Sequence, residues 1–151
     1  MVFCDDNNDG VRDLDGADDV IGTSDDEPGI AGVVLGLFNA AGTTAIDNPN
    51  IAGTQNYVVT TDANGSYAFT GLAAGTYTLR IATPPVAKPN SSPVTGTTDD
   101  GIDNDDNGIQ TTSGGVINSP QIVLAANEVD NTVDFGLSRR ACRFYRQCRF
   151  L

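Results

Sequence analysis

The apolar residues of this chain come in short runs that alternate with polar ones, and that spacing dictates sheet rather than helix. No stretch carries apolar residues at i, i+3, i+4 and i+7, and Gly, Thr, Asn and Val stand where a helix would need Leu, Glu and Lys. Residues 31–39 place Val33, Leu35 and Leu37 on one face and Val34 and Phe38 on the other, the pattern of a central strand. In 55–61 Tyr57 and Val59 alternate. The loop Asp62-Ala63-Asn64-Gly65 then leads into 66–70, where Tyr67 and Phe69 share a face. This predicts a hairpin in which Gly65 supplies a positive φ. A second turn, 71–75, precedes a strand at 76–83 in which Tyr77, Leu79 and Ile81 alternate with polar neighbours. Pro84-Pro85 ends it, because a prolyl nitrogen cannot donate to a ladder. The stretch from Lys88 to Gly115 reads as polar and irregular. Two late strands are predicted, at 121–125 with Ile122 and Leu124 inward, and at 131–137 with Val133, Phe135 and Leu137 inward. Short strands separated by turns imply an all-β sandwich. Its expected core is Val33, Leu35, Leu37, Tyr57, Val59, Tyr67, Phe69, Leu72, Tyr77, Leu79, Ile81, Ile122, Leu124, Val133 and Phe135.

Charge narrows the function. Twenty Asp and Glu face eight Lys and Arg, a net charge of -12 in 151 residues. Five of the cations fall in the last thirteen residues, so before Arg139 three cations face all twenty acids. Such a surface argues against nucleic-acid or anionic-membrane partners, which need Lys and Arg. With no His, triad catalysis and His-ligated zinc or haem are excluded. No apolar run approaches the roughly 20 residues of a membrane span, and Met1 opens no signal-peptide pattern. After Ser138 the composition turns basic and aromatic. Residues 1–137 are therefore read as the domain and 138–151 as a tail that is disordered or non-native, with a short helix or a basic docking arm as the alternative. Cys4, Cys142 and Cys148 are an odd set and imply no disulfide framework.

The acidic residues are clustered. Asp5-x-Asn7-x-Asp9-Gly10-x-x-Asp13 sets oxygen side chains at positions 1, 3, 5 and 9 of a calcium loop, with Gly at position 6 for the sharp turn and the Val11 carbonyl at position 7. Ca²⁺ takes six to eight hard oxygen ligands, so the lack of His costs nothing. Position 12 is Gly16 rather than the usual bidentate Glu. Either Glu27 reaches back to close the site, or Asp15 and waters complete it. The plain alternative is a solvated Asp/Asn turn. Against that stands the repulsion of Asp5, Asp6, Asp9 and Asp13, which only Arg12 offsets locally. A second cluster, Asp103-x-Asp105-x-Asn107-Gly108, repeats the alternation with the Ile109 carbonyl in the position-7 role, and Asp99 or Asp100 would supply the rest. Two calcium sites are expected. A third would need Asp62 and Asn64, whose presence hairpin chemistry already explains. Asp130 and Asp134 read as a solvated strand edge able at most to donate one ligand. No enzyme is expected: a catalytic carboxyl pair needs one member in an apolar pocket, and these aspartates sit among Asn, Gly and other Asp.

Taken in order, Val2-Phe3-x-Asp5-x-Asn7-x-Asp9-Gly10, Glu27-Pro28-Gly29-Ile30-Ala31-Gly32-Val33, Thr60-Thr61-Asp62-x-x-Gly65-x-Tyr67-x-Phe69, Leu72-x-x-Gly75-x-Tyr77 and Asn131-x-Val133-Asp134-Phe135-Gly136 resemble the SdrD B-like family. These are B-type repeats of serine-aspartate repeat proteins, related to collagen-adhesin B and prealbumin-like repeats. The resemblance implies an Ig-like or prealbumin-like β-sandwich with long calcium-binding loops, in a first strand cut to Met1–Cys4. Carried over by position, it implies metal ligands at Asp5, Asn7, Asp9, the Val11 carbonyl, Asp13 and Glu27, and a later acidic loop at 99–107. It implies a calcium-stabilised spacer repeat of a bacterial cell-surface or secreted adhesin, extracellular and monomeric, with neighbouring repeats as partners. The rivals are an adhesin module binding a glycan or matrix protein directly, and a dockerin-like module. Relatives often carry a Lys–Asn isopeptide; the one lysine, Lys88, lies in a proline-flanked loop, so none is expected.

Overall fold

Tyr77, Leu79 and Ile81 alternate along β4 (Gly75–Ile81), the longest strand, and the rest of the fold is laid against it. The computed structural model describes residues 1–16, 18–23, 25–92 and 101–139. Among them no helix forms, and none is long and apolar enough to cross a membrane. On one side β4 pairs antiparallel with β2 (Val34–Asn39), and β2 with β3 (Val58–Thr60). On its other side lie β7 (Ile117–Asn118) and β8 (Ile122–Leu124), end to end. Pro120 breaks the ladder between those two. Ser119 bridges the break, its N–H donating to the Leu79 carbonyl at 2.9 Å and its Oγ accepting the Leu79 N–H at 2.9 Å. β6 (Ile109–Gln110) pairs with β7 and completes a six-stranded sheet.

The second sheet has three strands in the order β1 (Val2–Cys4), β9 (Phe135–Ser138), β5 (Asn90–Ser91). The first and last strands pair in parallel, Val2 opposite Phe135 and Cys4 opposite Leu137. Val2, Phe135 and Leu137 from this sheet meet Leu35, Leu37, Leu79, Ile81, Ile117 and Ile122 from the other, so the two sheets form an Ig-like β-sandwich. Val33, Tyr57 and Val133 complete the buried cluster, and Val59, Tyr67, Phe69, Leu72 and Tyr77 pack partly buried against it. Burial of each Leu, Ile or Val here contributes about 1.5–3 kcal/mol.

Several expectations need correction. The strand at 31–39 begins only at Val34, whose side chain is 52% exposed, so β2 is central within its sheet but faces solvent outward. The stretch 88–115, expected to be irregular, contributes β5 and β6. Gly65 does adopt a positive φ (75°), and the Asp62 carboxylate caps the Asn64 and Ser66 amides, as turn chemistry requires. The chain does not return along β3, however. Gly65 hands it to the other layer, its carbonyl accepting the Val2 N–H at 2.8 Å, and 66–70 pairs with no strand. Likewise 131–134 stays outside β9. β9 runs through Ser138, one residue beyond the expected domain boundary. Asp99, Asp100 and residues 140–151 lie outside the described residues.

Candidate metal centre

The first acidic loop follows directly from β1. Asp5 is fully buried at its entry, and the chain winds so that its carboxylate accepts three successive amides, from Asn8, Asp9 (3.2 Å) and Gly10 (2.8 Å). Gly10 makes the turn at a φ of 85°. The alternate oxygens act the same way one step on: Asn7 Oδ1 accepts the Asp9 N–H and Asp9 Oδ1 the Val11 N–H, each at 2.9 Å. Asp13 Oδ1 accepts the Gly16 N–H at 3.1 Å.

Glu27 reaches back across this loop. Its Oε1 accepts the Asp6 and Asn7 amides (2.9 and 3.4 Å) and its Oε2 the Asp13 amide (2.8 Å). The intervening residues thus fold out and return, and the Glu27 N–H donates to the Asp13 carbonyl at 2.8 Å. Burial raises the Glu27 pKa; the loop amides lower it, while the nearby Asp5 charge raises it further. The Asp13 carboxylate beside it likewise lifts Asp15.

The second cluster does not wind into a loop of its own. It locks into the first. The Asp106 N–H donates to the Gly10 carbonyl and the Arg12 N–H to the Asn104 carbonyl, each at 2.8 Å, with Val11 and Asp105 paired between them. Neither bond uses the Val11 carbonyl. Asp103 is exposed, Asp105 is buried at the junction, and Ile109 lies in β6. Asn107 is buried with its Oδ1 accepting the Asp134 N–H at 2.7 Å. The structure therefore closes Glu27 over the loop through the Asp6, Asn7 and Asp13 amides, with Asp5 and Glu27 buried, Asp13 half-buried and Asn7, Asp9 and Val11 exposed, and distributes Asp103, Asp105, Asn107 and Ile109 along the seam and the sheet. Among the described residues no three carboxylates or thiols form a preassembled metal cluster.

Two residues count for more than the sequence reading allowed. Asp134, expected at a solvated edge, is fully buried; its carboxylate accepts the Asn104 N–H at 2.8 Å and pairs with the Met1 ammonium. Asp106, absent from the expected ligand set, is buried beneath the seam. It accepts the Gly108 N–H (2.7 Å), the Gly136 N–H (3.1 Å) and the Ser91 hydroxyl (2.9 Å). Burial pushes its pKa up to about 7 against those bonds, with the Asp5 charge adding to the rise. Its position between Asp105 and Asn107, out of step with their alternation, gave no periodic signal. Among the described residues no ion pair reaches Asp5, Glu27 or Asp106: Lys88 and Arg139 pair instead with Asp6. Burial alone would depress the Lys88 ammonium, but Asp6 and Cys4 outweigh it and hold the pKa up.

The donor set is all oxygen; Asp5 Oδ1 and Glu27 Oε1 each accept two amides, whereas Asp5 Oδ2 and Glu27 Oε2 accept one and retain acceptor capacity. Buried carboxylates this close favour either protonation or a cation. These features fit Ca²⁺ chemistry.

The family model described as the SdrD B-like domain matches residues 1–137. The chain is 40% identical over 93 residues to serine-aspartate repeat-containing protein D of Staphylococcus aureus (strain Newman), covering 62% of this chain and 6% of that protein. It is 40% identical over 83 residues to serine-aspartate repeat-containing protein F of Staphylococcus epidermidis, covering 55% of this chain and 4% of that one. No solved structure matches. On the strength of the family match, this chain belongs to the SdrD B-like domain family.

Proposed function

We propose that this domain is a calcium-stabilised spacer repeat of a bacterial cell-surface protein, with neighbouring repeats as its direct partners. The observation that carries the reading is the closure of the Asp5–Asp13 loop by Glu27, which buries its own carboxylate and that of Asp5 among like charges. Asp5, Asn7, Asp9, the Val11 carbonyl, Asp13 and Glu27 would hold the ion, whose contribution is to neutralise their mutual repulsion. The residues of the second cluster act as the wall against which the loop is set.

The parallel pairing of the first and last strands supports the mechanical part. The chain enters at one end of the small sheet and leaves at the other, so a pull on the termini runs along both strands. Their cross-strand bonds, including Phe135 N–H to Met1 O (2.9 Å) and Asp5 N–H to Leu137 O (3.1 Å), then share the load at once. The acidic loop starts at the last of these bonds, so an ion there stiffens the strand that bears the force. A ligand at 100 times its Kd stabilises a fold by roughly 2.7 kcal/mol, a large part of the about 5–15 kcal/mol of a small domain. Extracellular modules bind calcium at about 0.1–1 mM.

Calorimetric titration with calcium, paired with melting and limited proteolysis in chelator, tests this. A saturable heat, a higher Tm and protected acidic loops are expected. If chelation leaves both the Tm and the cleavage pattern unchanged, the proposal fails.

A further inference from the structure

None of the twenty acidic residues lies in a strand of the six-stranded sheet, whose one charged side chain is Arg80. Cross-strand register sets Val58, Gly36, Arg80 and Asn118 side by side on the face turned away from the core. The Phe38 ring lies over Gly36, where a Cβ would meet Phe38 Cε2 at 3.1 Å. The Arg80 guanidinium in turn sits 4.2 Å from the centre of that ring. A continuous row therefore runs across four strands, from an exposed valine through an aromatic ring to a guanidinium and an amide.

Arg80 is fixed before any ligand arrives. Its Nε donates to Asn118 Oδ1 at 2.8 Å and its Nη2 to the Gly42 carbonyl at 2.7 Å. It lines a hollow of about 270 Å³ between the turn at 40–42 and residues 118–121. Among the described residues it makes no ion pair, whereas the Met1 ammonium, Lys88 and Arg139 each do. Nη1 donates to nothing there, so its two hydrogens remain for an acceptor. One guanidinium matches one carboxylate, while phosphate-rich partners need several cations.

We propose that this row is a docking face for a second copy of the domain, and that its occupant is the exposed tip Asp19-Val20-Ile21. Within the tip the Asp18 carboxylate is taken up by the Val20 N–H at 3.0 Å and the Thr23 hydroxyl at 3.3 Å. Asp19, at a φ of 57°, makes no ion pair among the described residues, and Val20 and Ile21 are 53% and 80% exposed. A carboxylate followed by two apolar side chains complements the row, with Asp19 on Arg80 and the apolar pair on Phe38 and Val58. Arg80 and Val58 stand two strand spacings apart, about 9.6 Å, a separation that an Asp and an Ile two residues on bridge with their side chains. Charge selects this face. Copies of net charge -12 repel one another, but at about 0.15 M salt the screening length is about 8 Å, so the charges at the contact decide. The acid-free sheet is where an acidic tip meets no opposing carboxylate. Each copy offers one tip and one face, which makes the contact heterologous. In a tandem array effective concentrations are on the order of 1 mM, so a contact of that strength suffices. The inference takes up the neighbouring repeats proposed above but rests on the sheet face, not on calcium.

Sedimentation velocity from about 10 µM to about 1 mM protein, at about 0.15 M salt, tests the contact. The average mass should rise with concentration in calcium and in chelator alike. Asp19→Asn and Arg80→Gln should each weaken association at least about tenfold, the loss of one charge-assisted pair. An equimolar mixture of the two variants keeps one intact tip and one intact face, and should form dimers and nothing larger. Asp19→Asn changes an exposed side chain and should leave the Tm and the heat of calcium binding as in the parent, so failure of this contact is separable from failure of the calcium reading. A monomer at every concentration, association that neither substitution weakens, or a mixture that does not recover it overturns the proposal. If added glucuronate shifts the Arg80 side-chain resonances while the protein stays monomeric, the hollow belongs to a sugar carboxylate and the occupant proposed here is overturned.

Discussion

Replacing Asp106 with Asn removes one buried charge while keeping the shape of the side chain. In the fold, burial lifts this carboxyl from 3.8 to about 7, against the Gly108, Gly136 and Ser91 hydrogen bonds and with the help of Asp5. At 1.36 kcal/mol per pH unit, holding it ionised costs the metal-free fold about 4 kcal/mol. Because the folded state binds the proton more tightly than the unfolded chain, this group's contribution is fully present below about pH 4. It is lost as the pH rises through about 7. Asn has no proton to lose. Its amide also suits the site: the single hydrogen of Ser91 Oγ lies within reach of both Asp106 Oδ2 (2.9 Å) and the Gly108 carbonyl (2.7 Å). An Nδ2 donor toward Ser91 Oγ leaves that hydrogen to Gly108. Asp106→Asn should therefore stabilise the calcium-free domain at pH 8 by up to about 4 kcal/mol, and the gain should vanish toward pH 4. Urea unfolding of both proteins in chelator at pH 4, 6 and 8 measures the difference. Addition of calcium should then raise the Tm of the parent more than that of the variant. A difference independent of pH, or a variant less stable at pH 8, would refute the argument that this carboxyl is held at the expense of the fold.

Glu27→Gln keeps an oxygen for the loop amides but removes the charge that closes the site, and calorimetry should show calcium affinity at least about tenfold weaker. Gly136→Ala should cost about 1–3 kcal/mol in urea unfolding, since a Cβ there meets Phe3 Cζ at 3.0 Å, Ser92 Oγ at 3.1 Å and Asp106 Cβ at 3.2 Å. Gly65→Ala should cost more than Gly136→Ala: its φ is positive and its Cβ falls 2.1 Å from the Val2 carbonyl oxygen, backbone that cannot yield without parting β1 from the turn.

The strands facing the core were legible because burial on one side imposes a period of two. Leu35, Leu37, Tyr57, Leu79, Ile81, Ile122 and Phe135 all lie where that period puts them. Ile117 was not, since a two-residue strand shows no alternation. The winding of the first loop was legible too, because the positions of Asp5, Asn7, Asp9 and Gly10 are fixed relative to one another within six residues. Contacts across long separations were hidden. Nothing local says that Asp106 will lie under Gly136, or that Asp134 will cap Asn104; both follow only once β9 is seated beside β1. The apparent hairpin at 62–66 misled for a related reason. Asp62 and Gly65 specify a turn, but which sheet receives the chain afterwards is decided by Val2, some sixty residues away.

These long-range contacts also explain why acid is spent where a sandwich would ordinarily use hydrocarbon. The small sheet has strands of three, two and four residues, too short to hold together on ladder bonds alone. Its inner face is apolar, but its outer face carries Phe3, Gly136 and Ser138, all buried, and the second acidic cluster is bonded along β9 and its approach, Asp106 to the Gly136 N–H and Asn107 to the Asp134 N–H. Such a roof is held by hydrogen bonds among like charges, so its strength depends on what neutralises them. On the calcium reading, the ion converts a repelling cover into a clamp on the two strands that carry the load. The module would then be stiff where calcium is millimolar and compliant where it is scarce. In force spectroscopy of tandem copies, chelator should lower the unfolding force of the β1–β9 shear. Unchanged force in chelator would assign the load to the six-stranded sheet instead.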